Sequence, residues 1–132
     1  NDISSRRLIN LSPTREVDAR GKWFDWLMGK WQDTALPMGP CIVTRDELGA
    51  ADNLQIRLTV NGEVRQSSNT SDMLFSCDEL VSYASRHMTL QPCHIIFTGT
   101  PEGVGPVKPG DVLHAEIEKV GGFDIRVAQE DG

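Results

Sequence analysis

Between Leu54 and Val60 apolar and polar residues alternate strictly, as Leu54-Gln55-Ile56-Arg57-Leu58-Thr59-Val60. Such a period of two predicts a half-buried β-strand, because successive side chains of a strand point to opposite faces. Asn61-Gly62 follows, the pair favoured in a type I′ turn since both residues accept positive φ, and Glu63 to Gln66 leads back. The stretch therefore predicts a β-hairpin with one face buried. A second alternation runs from Val112 to Lys119, where Gly121-Gly122 predicts the reversal and Phe123 to Val127 the returning strand. Two short apolar runs, Cys41 to Thr44 and Cys93 to Phe97, predict further strands, the second of them buried.

The helical signal is concentrated in one place. Ser76 is placed as an N-cap, with Glu79 three residues on to complete a capping box. Leu80, Val81, Tyr83, Ala84 and Met88 then recur on one helical face, and Arg86 and His87 fall in the last turn, where the helix dipole favours positive charge. This predicts one amphipathic helix near residues 76–88. Trp23 to Met28 predicts a shorter helical turn whose aromatic side chains pack. Pro13, Gly21, Gly29, Pro37, Gly39 and Pro40 punctuate the rest of residues 1–40, and no repeat is present. The sum is a mainly β, α+β chain in which antiparallel pairs predominate.

Composition narrows the function classes. With 132 residues and 39% hydrophobic content the chain reads as one globular domain. No apolar run approaches the roughly 20 residues of a membrane helix, so a membrane partner is not expected, and residues 1–30 do not read as a signal peptide. The formal net charge of −6 repels nucleic acid. Arg6, Arg7, Arg15, Arg20 and Lys22 form the one basic cluster; without interleaved aromatics it suits a small anionic substrate better. Cys41, Cys77 and Cys93 are odd in number and widely spaced, which predicts three buried thiols in a reducing cytoplasm. His87, His94 and His114 lack metal-ligand spacing.

Three places could carry chemistry. The loop Thr98-Gly-Thr-Pro-Glu-Gly-Val-Gly105 combines glycines, which let backbone N–H groups approach an anion, with two hydroxyl donors; as a pattern it is equally a glycine-rich turn that binds nothing. Asp2 is either a hard-metal ligand or a solvated charge. Lys30, between Gly29 and Trp31, is either set in a pocket or exposed.

Taken in order, four segments decide between these readings. Asn1-Asp2-Ile3-Ser4-Ser5-Arg6, Gly29-Lys30-Trp31-Gln32-Asp33-Thr34 running on to Pro37-Met38-Gly39-Pro40, Leu58-Thr59-Val60-Asn61-Gly62-Glu63 to Asn69-Thr70-Ser71-Asp72-Met73, and Thr98 to Gly105 resemble, colinearly, the N-D-V-S-A-R-D, G-K-S-F-D-T…P-x-G-P, V-N-G-E…N-T-S-D-M and T-G-T-P-x-G-V-G motifs of the fumarylacetoacetate hydrolase superfamily. The resemblance implies a mixed β-roll of that family's C-terminal domain type, a homodimer, and a Mg²⁺-dependent enzyme, with Mn²⁺ or Ca²⁺ as alternatives. Its substrates would be small 2-oxo or acylpyruvate-type acids. C–C bond hydrolysis in aromatic-compound catabolism is the first expectation, and decarboxylation or enol–keto isomerisation the alternative. Carried over by position, Asp2 would be a metal ligand, with Thr34 reaching the metal through water. Arg6 and Lys30 would be catalytic groups, and Gly99 and Thr100 would bind the substrate carboxylate.

The resemblance has departures. The family's Glu-x-Glu metal pair and its lid, with a His-Glu dyad that activates water, would precede Asn1. Arg7 stands where Asp is usual, Ile9 where Gln is common, and Cys93-His94 where a Gly-Asp turn is usual. The chain opens on Asn1-Asp2 without Met. The expectation is therefore the C-terminal portion of a catalytic domain, spanning residues 1–132, with the lid and the Glu-x-Glu pair missing. A degenerate, non-catalytic member acting as a structural partner is the competing reading, and a general anion-binding β domain the third.

Overall fold

Asn61 and Gly62 take positive φ, 52° and 83°, in a computed structural model that describes residues 1–4 and 19–129. They join β1 (Gln55–Val60) to β2 (Glu63–Asn69) as the antiparallel hairpin that the sequence predicts. β3 (Val112–Ile117) pairs with the other edge of β1, and β4 (Gly121–Arg126) with β3, so the sheet runs β2-β1-β3-β4 with every pairing antiparallel. Helices α1 (Ala19–Met28), α2 (Arg45–Leu48) and α3 (Cys77–His87) and a 3₁₀ turn at Thr70–Asp72 complete the elements. The result is a mainly β, α+β fold around an open four-stranded sheet. The chain forms two compact units, Asn1–Met38 and Gly39–Gly132.

In the second unit the core follows the strand register. Val60 pairs with Leu113 and Leu113 with Ile125, which lays three buried side chains in one row across β1, β3 and β4. The next row on that face, Leu58–Ala115–Phe123, is half-buried. Leu54, just before β1, is buried too; its N–H donates to Thr70 Oγ1 at 2.8 Å and its carbonyl accepts from Thr70 N at 2.9 Å. Each fully buried Val, Leu or Ile contributes about 1.5–3 kcal/mol.

β2 departs from simple alternation. A β-bulge between Leu58 and Thr59 of the register leaves Arg65 without a partner on β1, so that Val64 faces Thr59 but Gln66 faces Leu58. An extra residue of this kind shifts the side chains after it to the opposite face of the strand. Gln66 is thereby brought to the buried side of the sheet, while Val64 stays exposed.

The hairpin turn is tied to a second turn. Asn61 Nδ2 donates to Asp111 Oδ1 at 2.9 Å, and Asn61 Oδ1 accepts from Val112 N at 2.9 Å. Lys108 N donates to Asp111 Oδ2 at 2.9 Å. The N–H of Lys108 and the Asn61 amide hold the buried Asp111 carboxyl below the ordinary aspartate value.

Several expectations are corrected. The β3–β4 reversal falls at Glu118–Val120, with Lys119 at φ 63°, and Gly121 and Gly122 lie inside β4 opposite Ile117 and Glu116. Close approach is the reason: a Cβ on Gly122 would lie 3.0 Å from the Ala115 carbonyl and 2.8 Å from His114 Nε2. Cys93 to Phe97 is not a strand and is not buried, with Ile95 56% and Phe97 53% exposed, and Cys41 to Thr44 is not a strand either. Apolar runs become strands only where a neighbour satisfies their backbone groups, and among the described residues the ladder holds four strands. Cys41, Cys77 and Cys93 are all exposed thiols rather than buried ones, because they sit in loops or in the first turn of α3.

α3 itself forms as expected. The Ser76 hydroxyl accepts from Glu79 N, and Glu79 Oε2 accepts from Ser76 N, the reciprocal capping box. Its apolar face is not packed away: Val81, Tyr83 and Met88 are exposed. In the first unit α1 extends the helix predicted around Trp23–Met28. Trp23 and Phe24 meet edge to face at 5.4 Å, yet Trp23, Phe24 and Trp26 remain more than half exposed.

Candidate functional site

In the first unit the sequence prepares a place for one buried-stem cation. α1 closes with Gly29 N donating to Asp25 O and Lys30 N to Leu27 O, both at 3.0 Å, and Gly29 is buried. Lys30 therefore leaves from the C-terminal end of the helix, where the macrodipole favours a positive charge. Its ammonium lies 5.7 Å from the centroid of the Trp26 ring, one turn earlier, and 2.6 Å from Asp2 Oδ2. Ile3 N donates to the carbonyl of buried Ala35 at 3.0 Å, which holds the segment bearing Asp2 in place. The Lys30 side chain is only 22% exposed and that of Asp2 45%. An ion pair this open to water is worth about 0–1 kcal/mol, so its consequence is positional: it holds one fixed cation beside one fixed carboxylate.

Of the other residues singled out in this unit, Thr34 is exposed at φ 62°, a strained backbone for a β-branched residue. Arg6, like Arg7 and Ile9, lies outside the described residues. Among the described residues no group of three or more His, Cys, Asp or Glu is placed to hold a metal. A hard divalent cation takes roughly six oxygen ligands, and the described residues do not by themselves make such a set.

In the second unit the glycine-rich loop lies against β2. A Cβ on Gly103, at φ 94°, would stand 2.0 Å from the Arg65 carbonyl oxygen, a separation open only to glycine. Gln66, one of two buried polar residues among the described residues, spreads its side-chain amide under the loop. Its Nε2 donates to Thr100 Oγ1 at 2.9 Å, to Pro101 O at 2.9 Å and to Glu102 O at 3.2 Å. Gly99, at φ 95°, has open space where a side chain would stand, and Gly99 and Thr100 are both exposed. The loop is thus anchored from beneath and open above. Sequence reading missed Gln66: regular alternation puts it on the same side as the exposed Val64, and the bulge reverses that.

Residues 1–128 match the family described as Fumarylacetoacetate (FAA) hydrolase C-terminal. The chain is 51% identical over 98 residues to a maleylpyruvate hydrolase of Aquipseudomonas alcaligenes, covering 74% of this chain and 34% of that protein. It is 50% identical over 103 residues to a mitochondrial oxaloacetate tautomerase of Bos taurus, covering 73% and 33%. Among solved structures it is similar to the maleylpyruvate hydrolase of Sphingobium sp. SYK-6 in complex with manganese (II) ion and pyruvate, with a TM-score of 0.77, 42% identity, and coverage of 79% of this chain and 39% of that one. The chain thus spans a third to two fifths of the length of these relatives.

Proposed function

This chain belongs to the fumarylacetoacetate hydrolase family, and we propose that it is part of an enzyme that hydrolyses a C–C bond of an acylpyruvate-type acid and releases pyruvate. The observation that carries the reading is the Thr98–Gly105 loop, open at Gly99 and Thr100 and anchored by Gln66, in a chain related to a hydrolase whose structure holds pyruvate. In this reading Gly99 and Thr100 hold the substrate carboxylate through backbone N–H and hydroxyl groups. Lys30 supplies a fixed positive charge to the enolate side of the reaction, where charge develops. Arg6 is a further catalytic group in this reading. Asp2 would contribute one oxygen ligand to a divalent cation, Mg²⁺ or Mn²⁺, which would supply Lewis-acid stabilisation of the enolate, and Thr34 would reach it through water.

The same reading takes residues 1–132 as the C-terminal portion of a roll-type catalytic domain. A homodimer, a cytoplasmic location and a place in aromatic-compound catabolism belong to this proposal. Among the described residues no helix is long and apolar enough to cross a membrane.

A second reading, enol–keto tautomerisation of an oxo acid, is favoured by the 50% identity to the oxaloacetate tautomerase. One experiment separates them. The purified protein with Mn²⁺ is offered maleylpyruvate, fumarylpyruvate and oxaloacetate, and pyruvate release and loss of enol absorbance are followed. Pyruvate from the first two supports the hydrolase; enol loss from oxaloacetate alone supports the tautomerase; neither product refutes both.

A further inference from the structure

We infer that Gln66 is a positioning residue that fixes the polarity of the Thr100 hydroxyl, so that Thr100 meets a carboxylate as a hydrogen-bond donor. The inference rests on the anion-binding role proposed for the loop. A threonine hydroxyl has one proton and can both donate and accept. Which of these it offers to a ligand depends on what its other neighbour demands.

Here the neighbour is determined by geometry. The nitrogen and oxygen of a glutamine amide are assigned from their partners, and in this site the partners leave one choice. The group facing the loop lies 2.9 Å from Pro101 O and 3.2 Å from Glu102 O, both backbone carbonyls that can only accept. It is therefore the amide nitrogen, which only donates. At 2.9 Å from the same nitrogen, Thr100 Oγ1 must accept. Its own proton is then directed away from Gln66, and Thr100 and Gly99 are both exposed to solvent. Two amide protons serve three acceptors, so the loop backbone and the hydroxyl are held by one group. The bulge that turns Gln66 inward and the glycine that lets the loop approach Arg65 both serve this contact.

A glutamate at this position would invert the arrangement. Its carboxylate would face two carbonyl oxygens and would accept the Thr100 proton, leaving a lone pair outward and a negative charge near an anion. The test is isothermal titration of pyruvate into the Mn²⁺-loaded full protein, together with steady-state kinetics. Gln66→Met and Thr100→Val are each expected to weaken pyruvate binding roughly tenfold, about the effect of one hydrogen bond to a charged group. They should raise KM while leaving kcat within a factor of about two. The Gln66→Met/Thr100→Val double variant should lose no more than either single variant, because the amide acts through the hydroxyl. Gln66→Glu should lose more than Gln66→Met. Independent losses that multiply to about a hundredfold, or Gln66→Glu binding like the parent, would overturn the inference. If the unsubstituted protein binds no pyruvate, the proposed function fails and this inference with it. Circular dichroism confirms that each variant folds, and if Gln66→Glu does not, the double-variant cycle decides alone.

Discussion

Asn61 donates a hydrogen bond from Nδ2 to Asp111 Oδ1 at 2.9 Å, linking two turns 50 positions apart in the chain. The asparagine carries two duties at once. At φ 52° it closes the β1–β2 hairpin, and through its side chain it also holds Asp111 and the N–H of Val112. The duties can be separated. Asn61→Gly keeps the backbone conformation and loses the bonds, whereas Asn61→Ala loses the bonds and forces a Cβ into the left-handed region, at a further cost of about 1–2 kcal/mol. Thermal unfolding should rank the parent above Asn61→Gly and that above Asn61→Ala. Equal stability of the two variants would show that the turn conformation carries no part of the role.

The Asp111 carboxyl is held below its ordinary value of 3.8 by the Lys108 N–H and the Asn61 amide. The folded state therefore prefers the carboxylate, and the unfolded chain takes up the proton first as pH falls. The stabilisation is present in full above 3.8 and is lost as pH drops through the lower folded value. Urea midpoints measured from about pH 6 to about pH 2 should decline in this lower range for the parent. Asp111→Asn should start lower near neutrality and decline less.

Gly103 admits no side chain, since its φ is 94° and a Cβ would stand 2.0 Å from the Arg65 carbonyl. The obstacle is backbone and cannot swing aside. Gly103→Ala should cost about 1–3 kcal/mol or displace the loop from Gln66. Gly105 has open space around it, so Gly105→Ala serves as the control and should stay within about 0.5 kcal/mol of the parent. Denaturation curves and pyruvate titrations of the two variants check this, and a loop that tolerates both equally would contradict the close approach.

Lys30 is held by Asp2 at 2.6 Å with Trp26 below it. Lys30→Met keeps an aliphatic stem against the indole and removes the charge. The ion pair is open to water, so the melting temperature should move little, in keeping with about 0–1 kcal/mol. kcat/KM for an acylpyruvate substrate should nevertheless fall by about a hundredfold or more, the range seen when one electrostatic contact to developing charge is removed. Full activity in this variant would remove Lys30 from the site.

What was legible in the sequence is local. The Asn61-Gly62 turn, the strand alternation of β1 and β3 and the Ser76–Glu79 box each depend on residues a few positions apart, whose conformational preferences act before any long-range contact forms. The order of motifs was legible as well, and with it the family. The sequence also pointed to Asp2, Lys30 and Thr100 one at a time, but not to their neighbours.

Tertiary structure decided the rest, because it depends on partners that periodicity does not name. Asp2 meets Lys30 across 28 positions, and Gln66 meets Thr100 across 34. One extra residue in β2 reversed the face of Gln66. A single register shift exchanges every later side chain of the strand between core and solvent, so no pattern within β2 could reveal it. The run Cys93–Phe97 is apolar enough for a strand, yet is exposed and unpaired with the four-stranded ladder. By itself, then, the sequence determined the local elements and the chemical types at the site. Which of those groups touch, and which face they present, was decided by pairing between distant strands and loops, where burial and hydrogen-bond satisfaction outweigh local preference.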